Sequence, residues 1–378
     1  MPKVLLKDVV TRIKDKLDKD STNLEYYIGG EHFDYAEVCI TKRGVIQGST
    51  IGPAFHMHFM PGDVLLMSRN PHLRKAGVVD FEGICSDVSY VCRTKDESVL
   101  MQRYLPFVFQ TDHFWEFAER NKKGSTNFFL NWSDFEKYEF DLPGIEEQRK
   151  LTELLWAAQD TKMAYQELLL QSDELVKSQF IELFDGKGYP EMLLSDVCVK
   201  ITDGTHKTPK YQDEGITFIS AKNIIEGKLD FADIKHISES EYQEIQKRCQ
   251  TEQGDVLLAK SGSLGMTAIV ETDEPIGLFE SLAILKYDRD LINGIFLCRQ
   301  MQSDMVQRQL MSNVKGVAVK HLHLNVIAST KVIVPPLYLQ EQFCVFAQQL
   351  DKSKFELKQS ITNITALMKS LMQRDFSN

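Results

Sequence analysis

The sequence predicts an α+β fold of two similar, mixed β-rich domains joined by two long antiparallel helices, with a pseudo-twofold relation between the halves. Three observations predict this fold. The pentapeptide GDVLL occurs at residues 62–66 and again at 254–258, 192 positions later. Short β-branched runs punctuated by Gly, Pro and Asp fill most of each half. Each half then ends in a long stretch that lacks both Gly and Pro.

The repeat extends well beyond the GDVLL pair. The matched segments are LKDVVTRIKD (6–15) with LSDVCVKITD (194–203), 61–79 with 253–270, 122–143 with 314–335, 144–151 with 337–346, and 175–180 with 367–372. They follow one another in the same order at a nearly constant offset. This regularity indicates that one unit is written twice.

We therefore predict two domains and two helical segments. The domains are residues 1–143 and 188–335, and the helical segments are 144–187 and 336–378. Apolar residues in the helical segments recur at spacings of three and four, which predicts helices over 146–184 and 341–372. These apolar residues are Leu151, Leu154, Leu155, Ala158, Tyr165, Leu168, Leu169, Leu175 and Val176, and then Phe343, Phe346, Ala347, Leu350, Leu357, Ile361, Ile364, Leu367, Met368 and Leu371.

Prolines precede both predicted helices, as is common at helix starts. They are Pro143 and the pair Pro335-Pro336, and Asp185-Gly186 ends the first helix. A long helix with one apolar stripe is unstable alone. Antiparallel packing of the two helices would bury both stripes and place the domains at opposite ends of a rod. The alternative is that each helix folds back on its own domain.

Composition and charge limit the classes of function. The chain is 43% hydrophobic and 26% charged, as in ordinary globular proteins. Its net charge of −10 argues against a surface that attracts nucleic acid everywhere, but it allows local basic loops. Seven cysteines without a CxxC pair indicate reduced, buried thiols. We found no signal peptide and no apolar run near 18 residues, so we expect a cytoplasmic protein that does not bind membranes.

Two features point to a known family. A proline followed by GluGln opens each helical segment, as Pro143 with Glu147-Gln148 and Pro335-Pro336 with Glu341-Gln342. The segment DGTHKTPKY (203–211), followed by GITFISAKNI (215–224), looks like part of a target recognition domain. With the duplication, the whole chain resembles the specificity subunit of a type I restriction–modification enzyme. The first half has only IGGEHFDYAE near 28–37, so the two domains should read different sequences.

The resemblance implies a division of labour. Each target recognition domain would contact one half of a split target in double-stranded DNA. The helices would set the spacing and dock two methyltransferase (M) subunits, and ATP-dependent restriction (R) subunits would cut. No cofactor would be bound by this chain, because AdoMet, ATP and Mg would belong to the partner subunits. The chain itself would not be an enzyme.

The residues themselves show no catalytic pattern. GSLGMT at 262–267 lacks the Lys of a phosphate-binding loop, and VPPLY at 334–338 has Val where amino-methyltransferases need Asn or Asp. The pairs His56/His58 and His321/His323 alternate as metal ligands on a strand can, but no third ligand is spaced to join them. A stand-alone two-domain enzyme and a two-domain scaffold remain the alternatives.

DNA contacts need Lys and Arg for phosphates, and polar side chains for base edges. Three sets of loops carry such residues. The first follows the GDVLL strands: Ser68, Arg69, Asn70, Arg74 and Lys75, and then Lys260, Ser261 and Ser263. The second comprises Lys122, Lys123, Ser125 and Thr126, with Lys315, Lys320 and His321 in the other half. The third is His206, Lys207, Thr208, Lys210 and Tyr211.

Overall fold

The computed structural model describes residues 2–312 and 321–376, and for 374–376 the backbone alone. The chain forms two compact units. Unit 1 comprises Met1–Leu168 with Glu356–Asn378, and unit 2 is Leu169–Phe355. Each unit thus contains one β-rich domain and a piece of each long helix. These boundaries fall inside both helices, whereas the predicted four-segment division treats the helices as separate segments.

Unit 1 contains two four-stranded sheets and one strand pair. Its elements are β1 (Lys3–Leu5), α1 (Leu6–Val9), β2 (Val10–Ile13), β3 (Tyr26–Ile28), β4 (Gly44–Val45), β5 (Phe55–Phe59), β6 (Val64–Met67), β7 (Ala76–Val78), β8 (Gly83–Ser86), β9 (Ser89–Thr94), α2 (Leu105–Val108), α3 (Asp112–Asn121), α4 (Trp132–Phe135), β10 (Glu139–Asp141) and the start of α5 (Ile145–Phe184). One sheet has the order β2-β9-β6-β7, the other has β4-β3-β8-β5, and β1 pairs with β10.

Unit 2 repeats this plan with additions. Its elements are β11 (Glu191–Leu193), α6 (Leu194–Val197), β12 (Cys198–Asp203), β13 (Ile216–Ile219), β14 (Ile224–Ile225), β15 (Lys228–Leu229), β16 (Lys235–Ile237), α7 (Glu239–Gln246), β17 (Val256–Ala259), β18 (Thr267–Ile269), β19 (Ile276–Leu278), β20 (Leu282–Tyr287), α8 (Gly294–Met301), α9 (Asp304–Ser312), α10 (Leu324–Ala328), β21 (Lys331–Ile333) and the start of α11 (Leu337–Phe376). The sheets are β12-β20-β17-β18 and β16-β13-β19, and β11 pairs with β21.

The predicted duplication and the α+β class are confirmed by this topology. In both units the sequence GDVLL supplies the buried strand, β6 or β17, second from one edge of the four-stranded antiparallel sheet. Its glycine adopts a positive φ, +89° at Gly62 and +91° at Gly254, which a residue with a side chain rarely adopts. Its aspartate, Asp63 or Asp255, is buried and accepts a hydrogen bond from the backbone N–H of the residue three positions earlier. The repeated GDVLL motif therefore forms a turn followed by a core strand.

Both long helices are confirmed and run 40 residues each. In unit 2 they are antiparallel, because Phe180 packs on Phe343 while Asp173, earlier in α5, pairs with Lys354, later in α11. In unit 1 Leu155 and Met368 join one core cluster. The expectation that every stripe residue is buried is wrong, because four leucines lie 46–52% exposed: Leu154, Leu168, Leu175 and Leu367.

A buried glutamine holds the start of each long helix. Gln148 donates to the carbonyls of Pro143 and Val99 (2.8 Å each) and accepts from Met101 N–H (3.1 Å). Gln340 occupies the same place, five residues after Pro335 as Gln148 is five after Pro143. The predicted match of Gln148 with Gln342 is therefore wrong, since Gln342 is exposed.

Candidate nucleic-acid interface

In unit 1 the two predicted basic segments lie side by side. Asn70 N–H donates to Phe128 O (2.8 Å), and Leu130 N–H donates to Ser68 O (2.9 Å). Lys123 and Phe129 exchange two backbone hydrogen bonds, so the residues between them form a turn. The loop after β6 and the segment before α4 thus make one surface, which we call the unit 1 loop face (Ser68–Lys75 and Lys122–Leu130).

Several basic side chains of this face are held by neighbours. Arg74 pairs with Asp112 (2.5 Å) and Lys75 donates to Gly30 O (2.6 Å). Lys122 pairs with Glu119 and Lys123 with Asp134, each at 2.7 Å. Arg69, Ser125 and Thr126 are exposed, and Asn70 is half-buried in a left-handed conformation. Ser68 corrects our prediction, since it is 5% exposed and cannot present its hydroxyl to DNA.

Sequence reasoning missed Arg12 in this unit. Its guanidinium lies 4.3 Å from the centre of the Tyr90 ring, and the Tyr90 hydroxyl donates to Leu130 O (3.1 Å) on the loop face. Arg12 belongs to β2, which the sequence analysis did not select although Lys14 and Lys16 follow it in the sequence. The pairing with Tyr90 depends on strand register and cannot be read from the sequence.

The unit 2 loop after β17 has the same backbone frame with different chemistry. Leu322 N–H donates to Lys260 O (2.8 Å), as Leu130 N–H does to Ser68 O in unit 1. Lys260 corrects a second prediction: it is 2% exposed, and its ammonium donates to Asp203. A buried lysine in such a pair cannot reach a phosphate. Ser261 is half-buried and Ser263 exposed beside it.

Asp203, at the end of β12, is the centre of a charged cluster. Its buried carboxylate accepts from Lys260 and Arg248 and lies 3.2 Å from His206 Nε2, and the other His206 nitrogen lies 2.7 Å from Glu280. Burial raises the pKa of Asp203, but the hydrogen bond from Lys260 and the surrounding positive charges lower it more. The net effect is a pKa below the usual value, so the carboxylate stays charged.

The segment DGTHKTPKY leaves the sheet at this point. Gly204 is required there, because an added Cβ would lie 2.1 Å from Leu278 O. Thr205 still bonds to the neighbouring strand through Leu278 O and Glu280 N. Beyond it the predicted residues project to the surface. The exposed ones are His206, Lys207, Thr208, Lys210 and Tyr211.

The last predicted cluster is only partly described. His321 is half-buried next to Leu322, and burial, followed by the charge of Lys260, lowers its pKa. Lys315 and Lys320 lie outside the described residues. In the parts of the chain that are described, no three His, Cys, Asp or Glu side chains are placed to hold a metal ion. No helix within those parts has the length and apolar character needed to cross a membrane.

Parts of the sequence are similar to known proteins. Residues 187–366 match the family model of the type I restriction modification DNA specificity domain. A 160-residue segment is 25% identical to the EcoBI type I restriction enzyme specificity subunit of Escherichia coli, covering 42% of this chain and 34% of that protein. The alignment thus spans about a third of the curated relative's length.

Solved structures show that the fold extends over the whole chain. The S subunit of a type I restriction–modification system from M. genitalium aligns over 100% of this chain and 96% of that chain, with 13% identity and a TM-score of 0.62. A chain from a study of assembly and conformational transition of the type I R-M system aligns over 99% and 97%, with 17% identity and a TM-score of 0.58. At these identities the likeness concerns the fold alone.

Proposed function

We propose that the chain is the DNA-recognition subunit of a type I restriction–modification system, because residues 187–366 match the family model of the type I restriction modification DNA specificity domain. Each unit would read one half of a bipartite target. The observation that carries this proposal is the repeated loop frame, in which Ser68 and Lys260 hold equivalent backbone positions. Different side chains on the same frame would give two half-sites of different sequence.

The exposed and half-buried polar residues of these loops are the proposed DNA contacts. In unit 1 they include Arg69, Asn70, Ser125 and Thr126, and in unit 2 Lys207, Thr208, Lys210, Tyr211, Ser261 and Ser263. Lys122 and Lys123 can leave their carboxylate partners, Glu119 and Asp134, and pair with DNA phosphates instead. Such a change is possible because surface ion pairs contribute only about 0–1 kcal/mol. The proposed set also keeps half-buried His321 and, from outside the described residues, Lys315 and Lys320.

The long helices would bind the other subunits. Apolar side chains on both helices are exposed, which is typical of protein-binding surfaces when they cluster. They include Leu170 and Ile181 of α5, and Tyr338, Val345 and Phe355 of α11. We propose that two methyltransferase subunits dock there and supply AdoMet, and that restriction subunits supply ATP and Mg chemistry. The chain itself would determine which sequence is modified and would catalyse no step.

Methylation assays test this proposal. The chain alone, incubated with labelled AdoMet and plasmid, should give no incorporation, whereas adding a methyltransferase partner should give modification at one bipartite sequence. Incorporation without a partner would favour a stand-alone enzyme. Absence of sequence-dependent DNA binding, even with the partner, would favour a scaffold.

A domain exchange tests the assignment of one half-site to each unit. Residues 188–335 would be replaced by the equivalent domain of a relative, and the modified sequences mapped. One half of the target should change while the other stays the same, because each domain has its own core. A change in both halves would contradict the proposal.

A further inference from the structure

We propose that Arg248 is a specificity-determining residue of unit 2 that reads a guanine, and that Asp203 is the residue that positions it. Arg248 was absent from the contacts predicted from sequence. The inference depends on the proposed function, since it requires unit 2 to bind DNA.

The geometry is that of an anchored arginine. Arg248 follows α7, and its backbone N–H donates to Ile245 O (3.1 Å). One terminal nitrogen, Nη2, donates to Asp203 Oδ1, while the side chain is 53% exposed. Among the described residues, Nε and Nη1 of Arg248 have no hydrogen-bond acceptor. The guanidinium is therefore fixed at one nitrogen and open to solvent at the others.

Asp203 is itself held firmly. Its second oxygen, Oδ2, accepts from buried Lys260 and lies 3.2 Å from His206 Nε2. His206 is fixed in turn by Glu280. A carboxylate with three partners cannot rotate freely, so the direction of the Arg248 fork is fixed before DNA arrives. Lys260, in this arrangement, balances the buried charge of Asp203 rather than touching DNA.

This arrangement suits a base better than a phosphate. A phosphate contact depends mainly on charge, and an adjacent carboxylate weakens that attraction. Base reading depends on direction, and an anchored guanidinium retains its planar fork of donors. Guanine offers two acceptors, O6 and N7, which match that fork in the major groove. Buried Asp203 weakens the attraction of Arg248 for a phosphate but fixes the direction of its guanidinium. This combination favours a contact with guanine.

Substitutions at Arg248 test the proposal in the full chain assembled with a methyltransferase subunit. Because the side chain is half exposed, Arg248→Ala and Arg248→Lys should fold. The matched control is Lys247→Ala, which removes a neighbouring charge that pairs only with Glu244 among the described residues. Both Arg248 variants should lose about 5- to 100-fold in affinity for the cognate target and accept other bases at one guanine position. The control should bind as wild type does.

A modified base identifies the contact. Placing 7-deazaguanine at that position removes the N7 acceptor, so it should weaken wild-type binding and add no further loss to Arg248→Ala. Asp203→Asn should relax preference at the same single position while the rest of the half-site is still read, an outcome that general destabilisation would not produce. If Asp203→Asn fails to fold, the Arg248 variants still decide.

Two results would overturn the inference. In the first, Arg248→Ala lowers the slope of log affinity against log salt concentration by about one unit and leaves the base preference unchanged. That result would indicate a phosphate contact. The other is binding and preference identical to wild type. If wild-type protein with its partner shows no sequence preference at all, the proposed function fails instead.

Discussion

The glutamine at the start of α11 provides a sharp test of how the helix is fixed to unit 2. Gln340 Nε2 donates to Pro335 O (2.7 Å) and Leu291 O (3.1 Å), and its Oε1 accepts from Asn293 N–H (2.8 Å). Asn293 also caps α8 through its side chain. Gln340→Ala would therefore remove three hydrogen bonds and leave backbone groups at two loops without partners.

The expected loss follows from these contacts. Each net hydrogen bond contributes about 0.5–1.5 kcal/mol, and an unsatisfied buried donor costs about 1–3 kcal/mol. Half-buried groups such as Asn293 N–H recover part of this from water. We therefore expect Gln340→Ala to lower the free energy of unfolding by about 2–4 kcal/mol. Gln342→Ala is the control, and this exposed change should stay within about 0.5 kcal/mol.

Urea unfolding, followed by far-UV circular dichroism and tryptophan fluorescence, would measure both variants. All three tryptophans lie in unit 1, so Gln340→Ala should shift the dichroism midpoint more than the fluorescence midpoint. Gln148→Ala should shift the fluorescence midpoint instead. Equal effects of Gln340→Ala and Gln342→Ala would show that the buried amide does not hold the helix start.

Three further predictions concern charged groups. Burial lowers the pKa of His58, but hydrogen bonds to Asp15 and Glu82 raise it more, so its contribution to stability should be full below about pH 6.5 and disappear as pH rises through the raised folded-state pKa. Urea midpoints of His58→Gln at pH 5.5 and 8.5 would show this, with His56→Gln as control; a wild-type advantage that is equal at both values would contradict it. Lys260→Met should lower the free energy of unfolding by about 3 kcal/mol because it leaves buried Asp203 short of a cation; an unchanged urea midpoint would show that the pair is not stabilising. Arg69→Ala should reduce the salt dependence of log affinity by about one unit if it contacts a phosphate, and identical slopes would remove it from the site.

Some of this architecture could be predicted from sequence because local pattern specifies it. The GDVLL word encodes a turn and a buried strand, and the three- and four-residue spacing encodes both long helices. Gln340 shows the limit of such matching. The GluGln dipeptide predicted Gln342 as the counterpart of Gln148. The buried glutamine is instead the one that lies five residues after the proline, which is Gln340.

The charged cluster of unit 2 could not be predicted. Lys260 resembles a surface cation in sequence, but its partner Asp203 lies 57 residues earlier. Arg248 and Asp203 are likewise brought together by the fold, across 45 residues. Which cations are buried and which remain exposed depends on these long-range pairings. The basic loops were therefore predicted as regions, while the roles of individual residues within them required the structure.

The discontinuity of unit 1 has a consequence for synthesis on the ribosome. Unit 2 emerges as one continuous run, Leu169–Phe355, whereas unit 1 also needs residues from Glu356 onward. At about 5–20 residues per second, the interval between Leu168 and Glu356 lasts roughly 10–40 s. Until Met368 arrives, apolar surface around Leu155 stays uncovered. Chaperones would therefore be most needed in this interval, while the first part of unit 1 waits for the residues that complete it.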